Sequence, residues 1–274
     1  MIRIPLLTCV SLALSAPLLA PQLAAGQSIR IEDVVNAELR PGWRTDSGTQ
    51  MAALHIALAP DWMTYWRKPG IAGIAPRFDW SGSRNLAAAQ VHWPRPRVFD
   101  QQGYRSIGYD GTLVLPLEIT PDADGPISAR LSVDIGVCRE ICIPITLDLA
   151  AEMPDMGVAD PMIEAALARQ PVDAAAGDVT DHACEVSPGE NTLEVAARIE
   201  MPALDGEEVA VFEYGDARIT MSESVTRREG DRLFAHASAR ALGGAPAALD
   251  RSDLRITVLG DTRAVEIEGC PQGE

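Results

Sequence analysis

Two cysteines, Cys138 and Cys142, lie four residues apart in the segment GVCREICIPI. Such a pair can form a disulfide, hold a metal ion or exchange electrons with other thiols. On one continuous strand their Cα atoms would be roughly 13 Å apart, beyond the ~7 Å limit for a disulfide. Facing residues at a hairpin end come within about 4.5 to 5.5 Å, which a disulfide accepts. A reversible disulfide is therefore feasible if the flanking strands form a hairpin.

The three chemistries differ in what else they require. A structural disulfide across so small a loop stabilises little, because the stabilisation grows with loop length. A zinc site needs further ligands, and the four histidines show no Cys/His spacing typical of zinc. Two thiolates alone suit copper(I), since soft sulfur ligands favour that ion. A redox dithiol agrees best with the residues, and the structural and metal interpretations stay open.

The other cysteines indicate an exported protein. Residues 1–26 have the features of a secretory signal peptide, with one arginine, an apolar run and small residues at the end, and Cys9 would be removed with it. The remaining even set of cysteines is what disulfides in an oxidising compartment require. We predict a structural, reduction-resistant Cys184–Cys270 disulfide and a labile Cys138–Cys142 disulfide. Free thiols, or cross-pairing between these two pairs, are the alternatives.

Composition and charge exclude some classes of function. The formal net charge is −16, and an acidic surface repels nucleic-acid phosphates, so no nucleic acid is expected as a partner. Beyond the signal peptide, Pro, Gly, Asp or Arg interrupts every apolar run well short of a membrane span. We predict an exported protein that does not itself span a membrane.

The elements that must position the cysteines are predicted to be strands. Short runs rich in Val, Ile, Leu and Thr, such as TLVLPLEIT and ARLSVDI, alternate with Gly, Pro and Asp turns. This pattern predicts an all-β fold with two β-sandwich domains, residues 27–152 and 178–274. Proline inside such runs, at Pro116 and Pro144, predicts edge or bulged strand positions.

A linker, residues 153–177, separates the two predicted domains. Asp160 can cap a helix that has Pro161 at its first position, and Pro171 would end it. The apolar residues of this short helix fall at helical spacing, at Met162, Ile163, Ala166 and Leu167.

Aromatic residues before the linker are assigned to a sandwich core or its rim, with no catalytic role: Trp62, Tyr65, Trp66 and Trp80.

Several motifs in order resemble the periplasmic amino-terminal domain of DsbD-type thiol:disulfide interchange proteins, and most closely the branch called copper-sensitivity suppressors. They are GWRT, APDWMTYWRKPGIAGIAPRFDWSGSRN, WPRPRVFDQQGYRSIGYDGTLVLPLEI and GVCREICIP. The resemblance is dense from about residue 34 to 151 and looser afterwards. Family members usually continue into membrane and thioredoxin-like domains, which we do not expect here, and the better studied ones have a longer loop between the cysteines.

The resemblance implies an immunoglobulin-like first domain and a redox role for Cys138 and Cys142. It also implies that residues 99–109 form a cap loop over the sulfurs, with Tyr104 as the aromatic nearest to them. The cap-loop residues singled out are Phe99, Asp100, Gly103, Tyr104 and Tyr109. Tyr104→Ala is then expected to speed alkylation of the reduced cysteines.

Together these observations predict a periplasmic protein that relays reducing equivalents through a Cys138/Cys142 dithiol, with no cofactor. It would need an external electron donor, a thioredoxin-like or membrane-embedded redox protein, and would act on oxidised periplasmic client proteins. The family branch adds an expectation of copper tolerance. The alternative is a non-enzymatic adaptor or copper(I)-binding module of the same fold.

Overall fold

The computed structural model describes residues 30–71, 73–101, 103–244 and 248–273. The predicted signal peptide, residues 1–26, lies outside the described residues. No helix in the described ranges is long and apolar enough to cross a membrane. The described residues are mostly strand, in four sheets with one short α-helix, so the predicted all-β sandwich fold is confirmed.

The first sandwich, residues 34–153, packs two antiparallel sheets face to face. Its strands are β1 (Val35–Arg44), β2 (Gln50–Leu58), β3 (Met63–Tyr65), β4 (Arg77–Asp79), β5 (Ala88–Val91), β6 (Arg97–Gln101), β7 (Tyr104–Asp110), β8 (Thr112–Thr120), β9 (Ile127–Cys138) and β10 (Cys142–Met153). One sheet has the order β1-β2-β8-β5, and the other has the order β10-β9-β3-β7-β6 with β4 beside β9. Buried apolar residues such as Leu54, Leu117 and Val133 fill the core between them.

The two prolines inside strands have different positions. Pro144 lies in β10, the outer strand of its sheet, as predicted, because an edge tolerates a residue without an N–H donor. Pro116 lies in β8, between β2 and β5, so the edge prediction was wrong for that strand. Pairing with β5 ends at Val91 and Leu117, so the missing N–H of Pro116 falls just beyond that ladder.

The predicted helix, α1 (Pro161–Leu167), packs on the outside of the first sandwich. The Asp160 carboxylate accepts a hydrogen bond from the Met162 N–H at 2.8 Å and so caps the helix as predicted. Ile163 and Ala166 are buried against the outer face of β2 and β8. This contact explains why β2 is apolar along both faces, since one faces the core and the other faces the helix.

The second sandwich, residues 172–273, also has two sheets. Its strands are β11 (Val172–Asp173), β12 (Asp181–Pro188), β13 (Leu193–Glu200), β14 (Val209–Tyr214), β15 (Ile219–Met221), β16 (Val225–Glu229), β17 (Arg232–Ala241), β18 (Leu254–Leu259) and β19 (Ala264–Glu268). The sheet orders are β11-β19-β18-β14 and β12-β13-β17-β15, with β16 beside β17. Because β11 pairs with β19, the end of the predicted linker belongs to this sandwich.

The two sandwiches pack against each other through β14. Val209 and Val211 join the apolar core of the first sandwich, while Ala210 and Phe212 face the core of the second. The uninterrupted apolar run VAVF therefore has both of its faces covered. A polar contact adds to this interface, because the Arg67 guanidinium donates to the Glu213 carboxylate at 2.9 Å.

Candidate functional site

The cysteine pair lies at the end of the β9–β10 hairpin. Cys138 is the last residue of β9, Cys142 is the first of β10, and they are the pair that closes the ladder. Their Cα atoms are 4.1 Å apart and their sulfurs form a disulfide. The predicted hairpin is confirmed by this pairing. The antiparallel pairing of β9 and β10 runs without a break from Ile127 and Met153 to the two cysteines. This continuous pairing holds Cys138 and Cys142 opposite each other.

The two cysteines differ in their exposure to solvent. Cys138 is 1% exposed, whereas Cys142 is an exposed residue at the start of β10. Between them, Ile141 is exposed and the Arg139 guanidinium lies 5.2 Å from the Trp62 ring centroid, in a cation–π arrangement. A reagent or a partner thiolate therefore reaches Cys142 before it reaches Cys138.

Tyr65 is the side chain whose hydroxyl contacts both sulfurs. Its oxygen lies 3.0 Å from the Cys138 Sγ and 3.2 Å from the Cys142 Sγ. β3 pairs with β9 so that Met63 faces Cys138, and alternation along the strand then directs Tyr65 to the same side as Met63. The sequence places the Tyr65 ring in the core, and the ring is indeed buried. The contact of its hydroxyl with the two sulfurs was not predicted.

Burial raises the pKa of the Tyr65 phenol, and a hydrogen bond with Ser106 opposes that shift. The phenol therefore stays protonated around neutral pH and can donate a hydrogen bond. A donor 3.0 Å from a sulfur stabilises that sulfur more as a thiolate than as a thiol. Tyr65 can thus lower the cost of releasing Cys138 as a leaving group.

The predicted cap-loop segment is a hairpin of β6 and β7 rather than an irregular loop. Phe99 packs against the buried cluster of Met63, Tyr65 and Cys138. At the turn, the Asp100 carboxylate accepts a hydrogen bond from the Gly103 N–H at 3.0 Å. Gly103 has a φ of +85°, in the left-handed region that favours glycine.

Two residues of this hairpin lie elsewhere than the sequence indicated. Tyr104, expected to be the aromatic nearest the sulfurs, is 60% exposed at the hairpin tip, and Tyr65 holds the contact with them. Tyr109 is buried in the main core, where its hydroxyl donates to the Pro94 carbonyl at 2.8 Å. Phe99 is therefore the aromatic of this hairpin that packs beside Cys138.

We expect Phe99→Ala to speed alkylation of the reduced cysteines by roughly tenfold, because access limits the reaction of a buried thiol. Tyr104→Ala is the matched control and should leave the rate within about twofold, because this exposed ring covers little. Stopped-flow alkylation with iodoacetamide measures both. A larger acceleration from Tyr104→Ala than from Phe99→Ala would contradict the structure and restore the sequence-based assignment.

The second cysteine pair closes the second sandwich. Cys184 and Cys270 form a disulfide between residues separated by 86 positions, and both lie in the buried core. The Cys184 N–H donates to the Pro271 carbonyl at 2.8 Å, so the chain end runs beside β12. Neither sulfur is accessible to a partner in this arrangement.

No set of three or more His, Cys, Asp or Glu side chains in the described ranges is placed to hold a metal ion. The Cys138 and Cys142 sulfurs are bonded to each other, so they hold no metal in this oxidised form.

Two comparisons relate this chain to known proteins. Residues 34–153 match the family model for the thiol:disulfide interchange protein DsbD, N-terminal. The fold resembles the crystal structure of the N-terminal periplasmic domain of ScsB from Proteus mirabilis, with a TM-score of 0.64 and 22% identity. That similarity covers 87% of this chain and 92% of the other. No curated protein matches the sequence.

Proposed function

We propose that this protein relays reducing equivalents by thiol-disulfide exchange through Cys138 and Cys142, on the premise that its residues 34–153 are a DsbD N-terminal-type domain. The observation that carries the proposal is the asymmetry of the disulfide. Cys142 is exposed at the hairpin end and Cys138 is buried, while the Tyr65 hydroxyl lies 3.0 Å from the Cys138 Sγ and 3.2 Å from the Cys142 Sγ. This arrangement directs attack to one sulfur and stabilises the other as the leaving group.

Reduction of the disulfide begins at Cys142. A thiolate of the electron donor attacks the Cys142 Sγ, the bond to Cys138 breaks, and its electron pair remains on the Cys138 sulfur. The Tyr65 hydroxyl stabilises that thiolate by donating a hydrogen bond. The donor's second thiolate then attacks the mixed disulfide and releases Cys142. The donor leaves oxidised, and the protein holds a dithiol after uptake of protons from water.

Delivery to a client reverses these steps. The Cys142 thiolate attacks the client's disulfide and forms a mixed disulfide, while the released client sulfur takes up a proton. Cys138 then attacks Cys142, restores the intramolecular disulfide and releases the reduced client. Cys138 and Cys142 face each other at the end of the hairpin, so the resolving Cys138 sulfur stays beside the mixed disulfide on Cys142.

We assign the donor to a thioredoxin-like or membrane-embedded redox protein, the clients to oxidised periplasmic proteins and the location to the periplasm. The predicted signal peptide and the periplasmic domain named in the similar crystal structure support this location. The buried structural disulfide Cys184–Cys270 also favours an oxidising compartment, where such bonds form and persist. Fractionation of the native host tests the location, and recovery of the protein in the cytoplasm would contradict it.

Transfer of electrons from thioredoxin tests the function directly. Mixing the disulfide form with reduced thioredoxin, followed by acid quenching and alkylation, should yield label on Cys138 and Cys142 and one oxidised thioredoxin for each protein reduced. Mass spectrometry counts the labels, and Cys184 and Cys270 serve as internal controls. If neither thioredoxin nor a glutathione buffer reduces the pair, while dithiothreitol does, the exchange function is refuted.

Tyr65→Phe should slow this transfer by about tenfold or more, since a hydrogen bond to a charged group contributes roughly 1.5 to 3 kcal/mol. It should also raise the pKa of the Cys138 thiol, because the thiolate loses a donor. Tyr109→Phe is the control, since it removes another buried hydroxyl that donates to a carbonyl. The pH dependence of alkylation measures the thiol pKa, and equal rates and pKa values in the two variants would exclude the role given to Tyr65.

A further inference from the structure

A cleft of about 670 Å³ lies between the two sandwiches, a size within the range of small-molecule sites. The first sandwich contributes Lys68, Arg105 and Ile107, and the second contributes Val211, Met221 and Arg240. The cleft is separate from the β9–β10 hairpin end, which contributes none of its lining residues.

The charge of the cleft is opposite to that of the chain. Its ionisable lining residues are the cations Lys68, Arg105 and Arg240 and one carboxylate, Glu223. The chain as a whole has a formal net charge of −16. Three cations gathered between low-dielectric walls favour the binding of an anion over that of a cation.

Two of these cations donate to neutral acceptors. The Lys68 ammonium donates to the Met221 carbonyl at 3.0 Å, and the Arg105 guanidinium donates to the Ser224 carbonyl at 3.3 Å. Arg105 also lies 3.8 Å from the exposed Glu207 carboxylate. Burial lowers the pKa of Lys68, with nearby Glu213 partly opposing the shift. An anion in the cleft would offset the desolvation of the Lys68 ammonium.

The carboxylate of the cleft is already engaged. The Glu223 Oε1 accepts a hydrogen bond from the Ile71 N–H at 3.3 Å, across the boundary between the sandwiches. This contact directs the carboxylate toward the main chain of the first sandwich. By count, three cations and one carboxylate line the cleft, while Glu194, Glu207 and Glu213 lie beside it.

The rest of the wall is largely apolar. Ile107, Val209, Val211 and Met221 are buried residues that also line the cleft. A small inorganic anion would leave this surface in contact with water, whereas a hydrocarbon chain would cover it. Recognition of both features requires an anionic head and an apolar body.

We propose that this cleft binds a small organic carboxylate with an aliphatic body. Lys68 and Arg240 bind the carboxylate, and Val211 with Met221 contact the aliphatic chain. This proposal does not depend on the redox function, since it uses neither cysteine pair. Its test therefore gives the same result whether or not Cys138 and Cys142 exchange disulfides.

Isothermal titration of the full chain, kept oxidised, tests the proposal with octanoate, 1-octanol and inorganic phosphate as probes. Octanoate should bind saturably with one site per chain. The alcohol, which lacks the charge, and phosphate, which lacks the chain, should each bind at least about tenfold more weakly. Equal binding of octanoate and octanol, equal binding of octanoate and phosphate, or no saturable octanoate binding would each overturn the proposal.

Variants locate the site. Lys68→Met should weaken octanoate binding by about tenfold, and Arg240→Met, at an exposed position, by roughly two- to fivefold. Arg218→Met is the matched control, because it removes the same charge from an exposed residue outside the cleft. If Lys68→Met perturbs the interface between the sandwiches, the comparison of Arg240→Met with Arg218→Met is the test of the proposal. Binding by Arg240→Met and Arg218→Met at the same affinity would overturn the proposal.

Discussion

Replacing Cys142 with serine should abolish thiol-disulfide exchange, whereas replacing Cys138 with serine should leave a reactive thiol that traps its partners. In Cys138→Ser the exposed Cys142 can still attack a disulfide, but no second sulfur is present to resolve the adduct. In Cys142→Ser the remaining sulfur is 1% exposed and lies beneath Tyr65 and Phe99. We expect the reaction with Ellman's reagent to differ between the two variants on the order of a hundredfold.

The same variants identify the partner in the native host. Cys138→Ser should accumulate mixed disulfides that reducing agent dissolves, and Cys142→Ser should accumulate none. Mapping by mass spectrometry must place each adduct on Cys142, with Cys184 and Cys270 still bonded. Equal reactivity of the two variants, or adducts that form on Cys138, would show that the exposed sulfur is not the one attacked.

The sequence predicted the disulfide hairpin because its determinants are local. The runs on either side of Cys138 and Cys142 are apolar and β-forming, and the short loop between them leaves an antiparallel pairing as the arrangement that brings the sulfurs together. The helix was predictable for the same reason, since Asp160 and Pro161 are start signals that act within one turn. Each of these elements depends on interactions between neighbours in the chain.

The contact of Tyr65 with the sulfurs could not be predicted in this way. Tyr65 lies 73 residues from Cys138 in the chain, and the two meet because β3 pairs with β9 in a particular register. A shift of one residue would direct Thr64 to the sulfurs and Tyr65 to the other face. Nothing local in the segment WMTYW distinguishes these registers.

The β6–β7 hairpin illustrates a similar limit. The motif identifies residues 99–109 as the segment near the cysteines. Which of its aromatic residues packs beside Cys138 depends on the position of the turn. The turn at Gly103 pairs Gln101 with Tyr104 at the tip and places Phe99 opposite Ser106, farther along the ladder. Phe99 is therefore over the buried cluster, and Tyr104 extends into solvent.

Removing the Cys184–Cys270 disulfide should destabilise the protein far more than removing the redox pair. In the chain-entropy model, a cross-link between residues 86 positions apart stabilises the native state by about 4 to 5 kcal/mol. The same model gives roughly 2 kcal/mol at most for the small loop closed by Cys138 and Cys142. We expect the double variant Cys184→Ala/Cys270→Ala to lose roughly 10 to 20 °C in Tm, because each 1 kcal/mol of lost stability lowers the Tm of a chain of this size by about 2 to 4 °C.

Differential scanning calorimetry of that variant and of Cys138→Ala/Cys142→Ala provides the comparison. Both variants remove one disulfide and two sulfurs, so they differ in the length of the loop that is opened and in the packing around the sulfurs. Cys184 and Cys270 lie in the apolar core of the second sandwich, where two alanines leave a cavity and add to the loss of stability. A smaller drop in Tm for the Cys184/Cys270 variant than for the Cys138/Cys142 variant would contradict the structural role.

The two disulfides should also separate by their ease of reduction. Cys184 and Cys270 are buried and join β12 to the chain end, so a reductant reaches them only after the second sandwich opens. Cys142 is exposed in the folded protein, so its disulfide can be attacked without unfolding. In graded dithiol buffers, alkylation should label Cys138 and Cys142 first and the other pair only under conditions that unfold the second sandwich. Labelling of Cys184 and Cys270 at the same or milder potential would mean that both pairs are open to exchange, and the division between a structural and a reactive disulfide would not hold.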